Sequence, residues 1–332
     1  MSTMNSVTEY GEFDEKFQET FELFKRNIES DEEVGASFAV YKDGKPIIDL
    51  YGGFQDRDKK ISWNKDTLVN VHSTSKGIVA MVVAKLIDNG DLELDKRVCD
   101  YWPEFSENGK NNIRVKTLLS HQAGLYGWRE PLDETDFYKW DYVCELLAKQ
   151  KPFHEPNKEI CYHPKTIGFL VGELIKRITK KSVGKNLHEL LSNPLDAKCF
   201  IGTPEIYHNN IAELISSESL RKAFSNPENV DNYMVTAFLN PANRTKTANT
   251  AEWRLAEIPA MNCHANSRSI AKIYDHFINH QSNNFISNET FKLVTSVAVS
   301  GDDNVMKSPM QWSCTGYSVG GGKLLGKSSK AI

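Results

Sequence analysis

A serine and a lysine three residues apart, Ser73 and Lys76 in Val71-His72-Ser73-Thr74-Ser75-Lys76-Gly77, stand where the chain turns apolar. Ile78, Val79, Val82, Val83, Leu86 and Ile87 recur at helical spacing, and Asn89-Gly90 supplies a left-handed stop. The pattern predicts a buried helix that begins at the serine. Residues three apart share a helix face, so the ammonium of Lys76 can approach the hydroxyl of Ser73. A serine hydroxyl becomes a useful nucleophile when a neighbouring base takes its proton, and a dehydrated lysine with a lowered pKa can be that base. The free N–H groups of a helix start favour an alkoxide or oxyanion. The plain alternative is a helix cap followed by a solvated lysine, and four residues alone do not separate the two readings.

A phenol adds to this chemistry. Tyr162 lies in Cys161-Tyr162-His163-Pro164, directly before a strongly periodic stretch with Ile167, Leu170, Val171, Leu174, Ile175 and Ile178. A tyrosine just ahead of a helix can project into a cleft, or it can simply pack beneath that helix.

Several further stretches must position these groups. An amphipathic helix is predicted over 14–30. Strands at 35–41 and 45–52 flank Lys42-Asp43-Gly44, where Asp-Gly marks a tight hairpin. A short helix is expected from Val115 to Gly124, with His121 shaping a turn, and further helices over about 137–149 and 266–279. Residues 205–260 read as a long loop region and 315–320 as a strand.

Composition bounds the possibilities. The chain has 332 residues, 40% hydrophobic and 25% charged, with a formal net charge of -4. That is ordinary for a soluble protein, large enough for one big domain or two intimate ones. No basic run supports a nucleic-acid surface, which needs clustered Lys and Arg. The first ten residues carry no signal-peptide pattern, and no apolar run reaches membrane-spanning length. Six cysteines are scattered singly, which suits reduced thiols and a cytoplasmic location. No H-E-x-x-H or Cys/His spacing implies a metal, since His154-Glu155 lacks a second histidine, and no cofactor is expected.

Taken together the landmarks resemble the serine beta-lactamase and penicillin-binding-protein superfamily, in its esterase and peptidase branch. The resemblance rests on the Lys42-Asp43-Gly44 hairpin, Ser73-Thr74-Ser75-Lys76, Leu118-Leu119-Ser120-His121-Gln122-Ala123-Gly124-Leu125, Tyr162-His163, Gly172-Glu173, Phe200-Ile201-Gly202-Thr203-Pro204 and Asn266-Ser267-Arg268-Ser269-Ile270-Ala271. It implies an α+β fold, an antiparallel sheet flanked by helices with an inserted, mostly helical subdomain. The expected layout is a flexible tail over 1–12 and one domain over 13–332, with the sheet part at about 13–72 and 300–332 and the helical and loop part at about 73–299. Ser73 would be the nucleophile, with Lys76 and Tyr162 as proton-transfer partners, and which of the two acts as base stays open. The family's Tyr-x-Asn pattern becomes Tyr162-His163-Pro164, so the usual substrate-facing amide is absent. His163 is a candidate stand-in as a substrate contact, with a structural histidine as the equal alternative, and the departure favours ester or peptide substrates over antibiotics.

The third family motif, Lys or His followed by a small residue and Gly, has its nearest match in Lys327-Ser328-Ser329, so Lys327 and Ser328 are candidate substrate contacts. The expectation is a C-terminally truncated sheet that lacks its late strands. Gly321 to Ser328 also fits a phosphate-loop spacing, but too little chain follows for the helix such a loop requires. Two readings compete: a metal-independent serine hydrolase acting on a small-molecule or peptide ester or amide through acyl-Ser73, and a catalytically impaired relative used for binding or self-assembly, with homo-oligomers possible in either.

Overall fold

The computed structural model describes residues 5–216, 231–242 and 245–319. The N-terminal sheet has four antiparallel strands in the order β1-β2-β4-β3: β1 (Asn5–Thr8), β2 (Gly11–Asp14), β3 (Gly35–Lys42) and β4 (Lys45–Gly53). Within the tail expected over 1–12, residues 5–8 and 11–12 are strand: β1 pairs with β2, and β2 docks on β4 with Gly11 opposite Leu50. The β3–β4 hairpin closes at Asp43-Gly44, both at positive φ (52° and 78°). Such a turn matches the twist of the flanking strands and is cheapest where glycine takes the second place.

Helix α1 (Gln18–Glu29) lays Phe21 against this sheet, where it stacks on Phe13 at 4.5 Å beside Ile48 and Leu50. The helix Ser267–Ile278 packs on the hairpin as well, tied by Ser267 N–H to Ser37 Oγ, by Arg268 to Asp49, and by Gly44 N–H to Asp275.

The main core is built around α2 (Thr74–Asp88), whose buried residues run continuously from Ile78 to Ala84 and face every direction. A helix apolar all round belongs in the centre of a helical body. Around it lie α3 (Val98–Tyr101), α4 (Val115–Leu119), α5 (Trp140–Lys149), α6 (Thr166–Thr179) and α7 (Val183–Leu187).

A three-stranded sheet in the order β5-β7-β6 leads into α2: β5 (Val69–Asn70), β6 (Cys199–Phe200) and β7 (His264–Ala265). Its register pairs Asn70 with His264 and Val69 with Ala265.

Four expectations need correction. The short helix at 115 stops at Leu119, not Gly124. Gln122 N–H bonds back to Thr117 O, which forces the intervening His121 into left-handed backbone at φ 63°. Within 205–260, the described residues hold short helices at Asn232–Phe238, Thr245–Ala248 and Ala251–Leu255. The first and last are started by the side chains of Asp231 and Thr250, over lengths too short to show a period. Finally, the late strands β8 (Val297–Asp303) and β9 (Ser308–Ser313) form a separate ribbon among the described residues and do not extend the N-terminal sheet. After β9 the chain turns at Gly316, with Ser313 N–H on Tyr317 O, so the strand expected over 315–320 reduces to a single bridge from Ser318 to Trp312. Lys327, Ser328 and the Gly321–Ser328 stretch lie outside the described residues.

Candidate active site

Strand β5 delivers the chain to His72, which takes a left-handed φ of 45°, and Ser73 then opens α2. The turn is held from below. Val71 N–H donates to Cys263 O, while buried Ser75 donates its hydroxyl to His72 O and accepts Cys263 N–H at 3.0 Å. The nucleophile candidate is thus fixed to β7's approach segment rather than to α2 alone. Ser73 is exposed and makes no side-chain cap, so its hydroxyl is free for other partners.

Two groups converge on that hydroxyl. Lys76 Nζ lies 3.0 Å from Ser73 Oγ, and the phenol of Tyr162 also lies 3.0 Å from it. Lys76 Nζ donates in addition to Ala260 O at 2.9 Å and sits 5.1 Å from the Tyr162 ring centre. No carboxylate among the described residues pairs with it. Burial pushes the lysine's pKa below its ordinary 10.5, an effect the neighbouring Tyr162 opposes only in part. A neutral amine in this place keeps one N–H on Ala260 O and turns its lone pair to the Ser73 proton.

Close approach of α6 makes this possible. A Cβ on Gly168 would lie 2.4 Å from Ala260 N and 2.9 Å from its Cβ, so only glycine lets the helix meet the segment that carries the lysine's acceptor. Gly168→Ala is expected to cost about 1–3 kcal/mol of stability and to lower activity by displacing Ala260 O. Thermal unfolding and kcat/KM would be read on the same sample; both unchanged would contradict the account.

Tyr162 is held by the late ribbon. Asp303 accepts Tyr162 N–H at 3.1 Å, and the ring stacks on Trp312 at 5.6 Å with 4° between planes. His121 closes the edge, 5.1 Å from Tyr162 and 4.6 Å from Trp312. Its Nδ1 accepts His163 N–H at 3.1 Å, so its proton is on Nε2, which has no partner among the described residues.

Of the two readings of His163, its placement fits the structural one. The residue is fully buried, its Nδ1–H donates to Cys161 O at 2.5 Å, and its Nε2 accepts Leu125 N–H at 3.2 Å. With both nitrogens spent on backbone it braces the loop behind Tyr162 and does not face substrate. Sequence inspection also missed Ala260, Trp312 and Asp303, since none belongs to a spaced motif.

Burial pushes His163 and His264 down to about 3. The unfolded chain takes up protons near 6.5 that the native chain refuses, so stability is lost as pH falls from about 6.5 toward 3. At up to about 1.4 kcal/mol per pH unit for each ring, and half that slope at pH 6.5 itself, roughly 3 kcal/mol should vanish between pH 6.5 and 5. Urea unfolding at pH 7 and pH 5 tests this; a constant midpoint would refute it.

A family model described as Beta-lactamase matches residues 22–322. The chain belongs to that family. Among its relatives, Esterase/beta-lactamase LipL of Mycobacterium tuberculosis (strain ATCC 25618 / H37Rv) is 30% identical over 257 residues, 72% of this chain and 57% of the relative. The chain therefore spans just over half the length of that protein. A family VIII carboxylesterase structure superposes with a TM-score of 0.86 at 34% identity, covering 95% of this chain and 84% of that one. A penicillin-binding protein homologue from Caulobacter crescentus gives 0.83 at 31% identity, covering 91% and 81%. The beta-lactamase fold accordingly accounts for the α+β architecture. Among the described residues, no helix is long and apolar enough to cross a membrane.

Proposed function

We propose that this chain is a serine hydrolase that cleaves carboxylic esters of small molecules or peptides through an acyl-Ser73 intermediate. The observation that carries the reading is the meeting of Lys76 Nζ and Tyr162 OH on one exposed hydroxyl, each at 3.0 Å. Ser73 Oγ attacks the substrate carbonyl while its proton passes to the Lys76–Tyr162 pair. The same pair returns that proton to the departing alkoxide, leaving an ester on Ser73, and water then releases the acid by the reverse path. These three side chains supply every proton transfer the reaction needs. The Ser73 N–H at the start of α2 is one oxyanion donor.

Esters are preferred over antibiotic amides because Tyr162-His163-Pro164 presents no side-chain amide, and His163 is withdrawn into the core. The similarity to a family VIII carboxylesterase and to Esterase/beta-lactamase LipL supports the same choice. Six free thiols support a reducing, cytoplasmic setting.

Brief reaction with p-nitrophenyl acetate, quenched in acid, should add one acetyl group to the peptide that contains Ser73, and a fluorophosphonate should label the same residue. A folded, monodisperse sample that takes up neither would overturn the proposal.

A further inference from the structure

No metal-ligand spacing is visible in the sequence, yet the fold gathers His154, Glu159 and Cys161 on the loop that leads to Tyr162. One ligand atom from each lies within 4.8 Å of the others. The imidazole is already set in the tautomer a metal requires. Its Nδ1 lies 2.9 Å from Glu155 O, and a carbonyl only accepts, so Nδ1 carries the proton and Nε2 presents a bare lone pair. That Nε2 is buried and has no partner among the described residues.

The carboxylate is oriented too. Tyr233 OH and Asn304 Nδ2 each donate to Glu159 Oε2 at 2.7 Å, and the Cys161 thiol lies 4.0 Å from that oxygen. Cys161 is fully buried, while His154 and Glu159 are half-buried.

We propose that His154 Nε2, Cys161 Sγ and the Glu159 carboxylate bind a thiophilic divalent cation, Zn2+ first. A mixed imidazole, thiolate and carboxylate set favours zinc over magnesium or calcium, which take oxygen ligands alone. Zinc bonds of about 2.0–2.3 Å place tetrahedral ligands of this set roughly 3.3–3.6 Å apart, so the three side chains need to close by up to about 1.5 Å. Binding exchanges the Sγ–H bond of Cys161 for an Sγ–metal bond, and the proton leaves to water with no change of oxidation state. The fourth position falls to a water. Because Cys161 precedes Tyr162 and Asn304 follows Asp303, the bound cation would brace the loop that holds the phenol.

The test is titration of the full chain with Co2+ in a thiol-free reductant, followed by Zn2+. One equivalent of Co2+ should produce thiolate-to-metal charge-transfer absorption in the near ultraviolet, and one equivalent of Zn2+ should displace it. Cys161→Ser should abolish the band. Glu159→Gln keeps an acceptor for Tyr233 and Asn304 and, like His154→Ala, should weaken Zn2+ by more than about tenfold. Cys263→Ser reports on the buried Cys199–Cys263 pair, whose sulfurs lie 3.3 Å apart, and should leave the band in place. Absence of the band in folded wild type, its survival in Cys161→Ser, or unchanged Zn2+ affinity in both Glu159→Gln and His154→Ala would each overturn the assignment. None of these readouts depends on ester hydrolysis.

Discussion

Ser73→Ala should remove about four orders of magnitude or more from kcat/KM toward a p-nitrophenyl ester, some 5–6 kcal/mol of transition-state stabilisation. The size of the effect follows from the geometry: both proton-transfer groups are aimed at one oxygen, and no described neighbour offers a second hydroxyl to them. The adjacent Ser75 cannot substitute, because its hydroxyl is buried and committed to His72 O and Cys263 N–H. Ser73 is exposed and makes no cap, so its loss should leave the fold intact. Steady-state rates beside the circular dichroism spectrum would check both halves. A variant within tenfold of wild type would move the nucleophile elsewhere.

Lys76→Arg is the second large effect and the more discriminating one. Arginine keeps the positive charge but does not give up its proton. If Lys76 works as a neutral base, the variant should lose about 10²–10⁴-fold in kcat/KM, close to the loss in Lys76→Met. Retention of activity by arginine alone would mean that the lysine contributes charge and that Tyr162 takes the proton. The pH profile carries the same information. Burial depresses the lysine's pKa, so the active, neutral form appears as pH rises through a value below 10.5. Wild-type kcat/KM should therefore climb with pH along that limb, and Lys76→Met should lack the limb. A profile shared by wild type and Lys76→Met would contradict the assignment.

Partial removal of the supporting residues should act more gently. Trp312 and Asp303 touch Tyr162 but not Ser73, so their variants should show changed rates with the Ser73 adduct still forming.

Local pattern alone was enough for the β3–β4 hairpin, for α2 with Ser73 at its start, and for Tyr162 ahead of α6. Each depends on interactions between residues a few positions apart, where periodicity, Asp-Gly and cap chemistry act without help from the rest of the chain. Several elements under about eight residues escaped that reading in whole or in their bounds. The helices at Asn232–Phe238 and Ala251–Leu255 are too short to show a period, and the last turn of α4 is decided by Gln122 reaching back to Thr117.

What the sequence by itself determined is the identity and spacing of Ser73, Lys76 and Tyr162, and through their landmarks the beta-lactamase fold. Only the tertiary structure decided that Lys76 would be dehydrated against Ala260 O, 184 positions away, and that Tyr162 would be clamped by Trp312 and Asp303. It also turned His163 inward and drew His154, Glu159 and Cys161 together. The reason is physical. A pKa, a stacking plane or a buried lone pair depends on what fills the space around a group, and that filling comes from distant segments whose order in the chain carries no local signal.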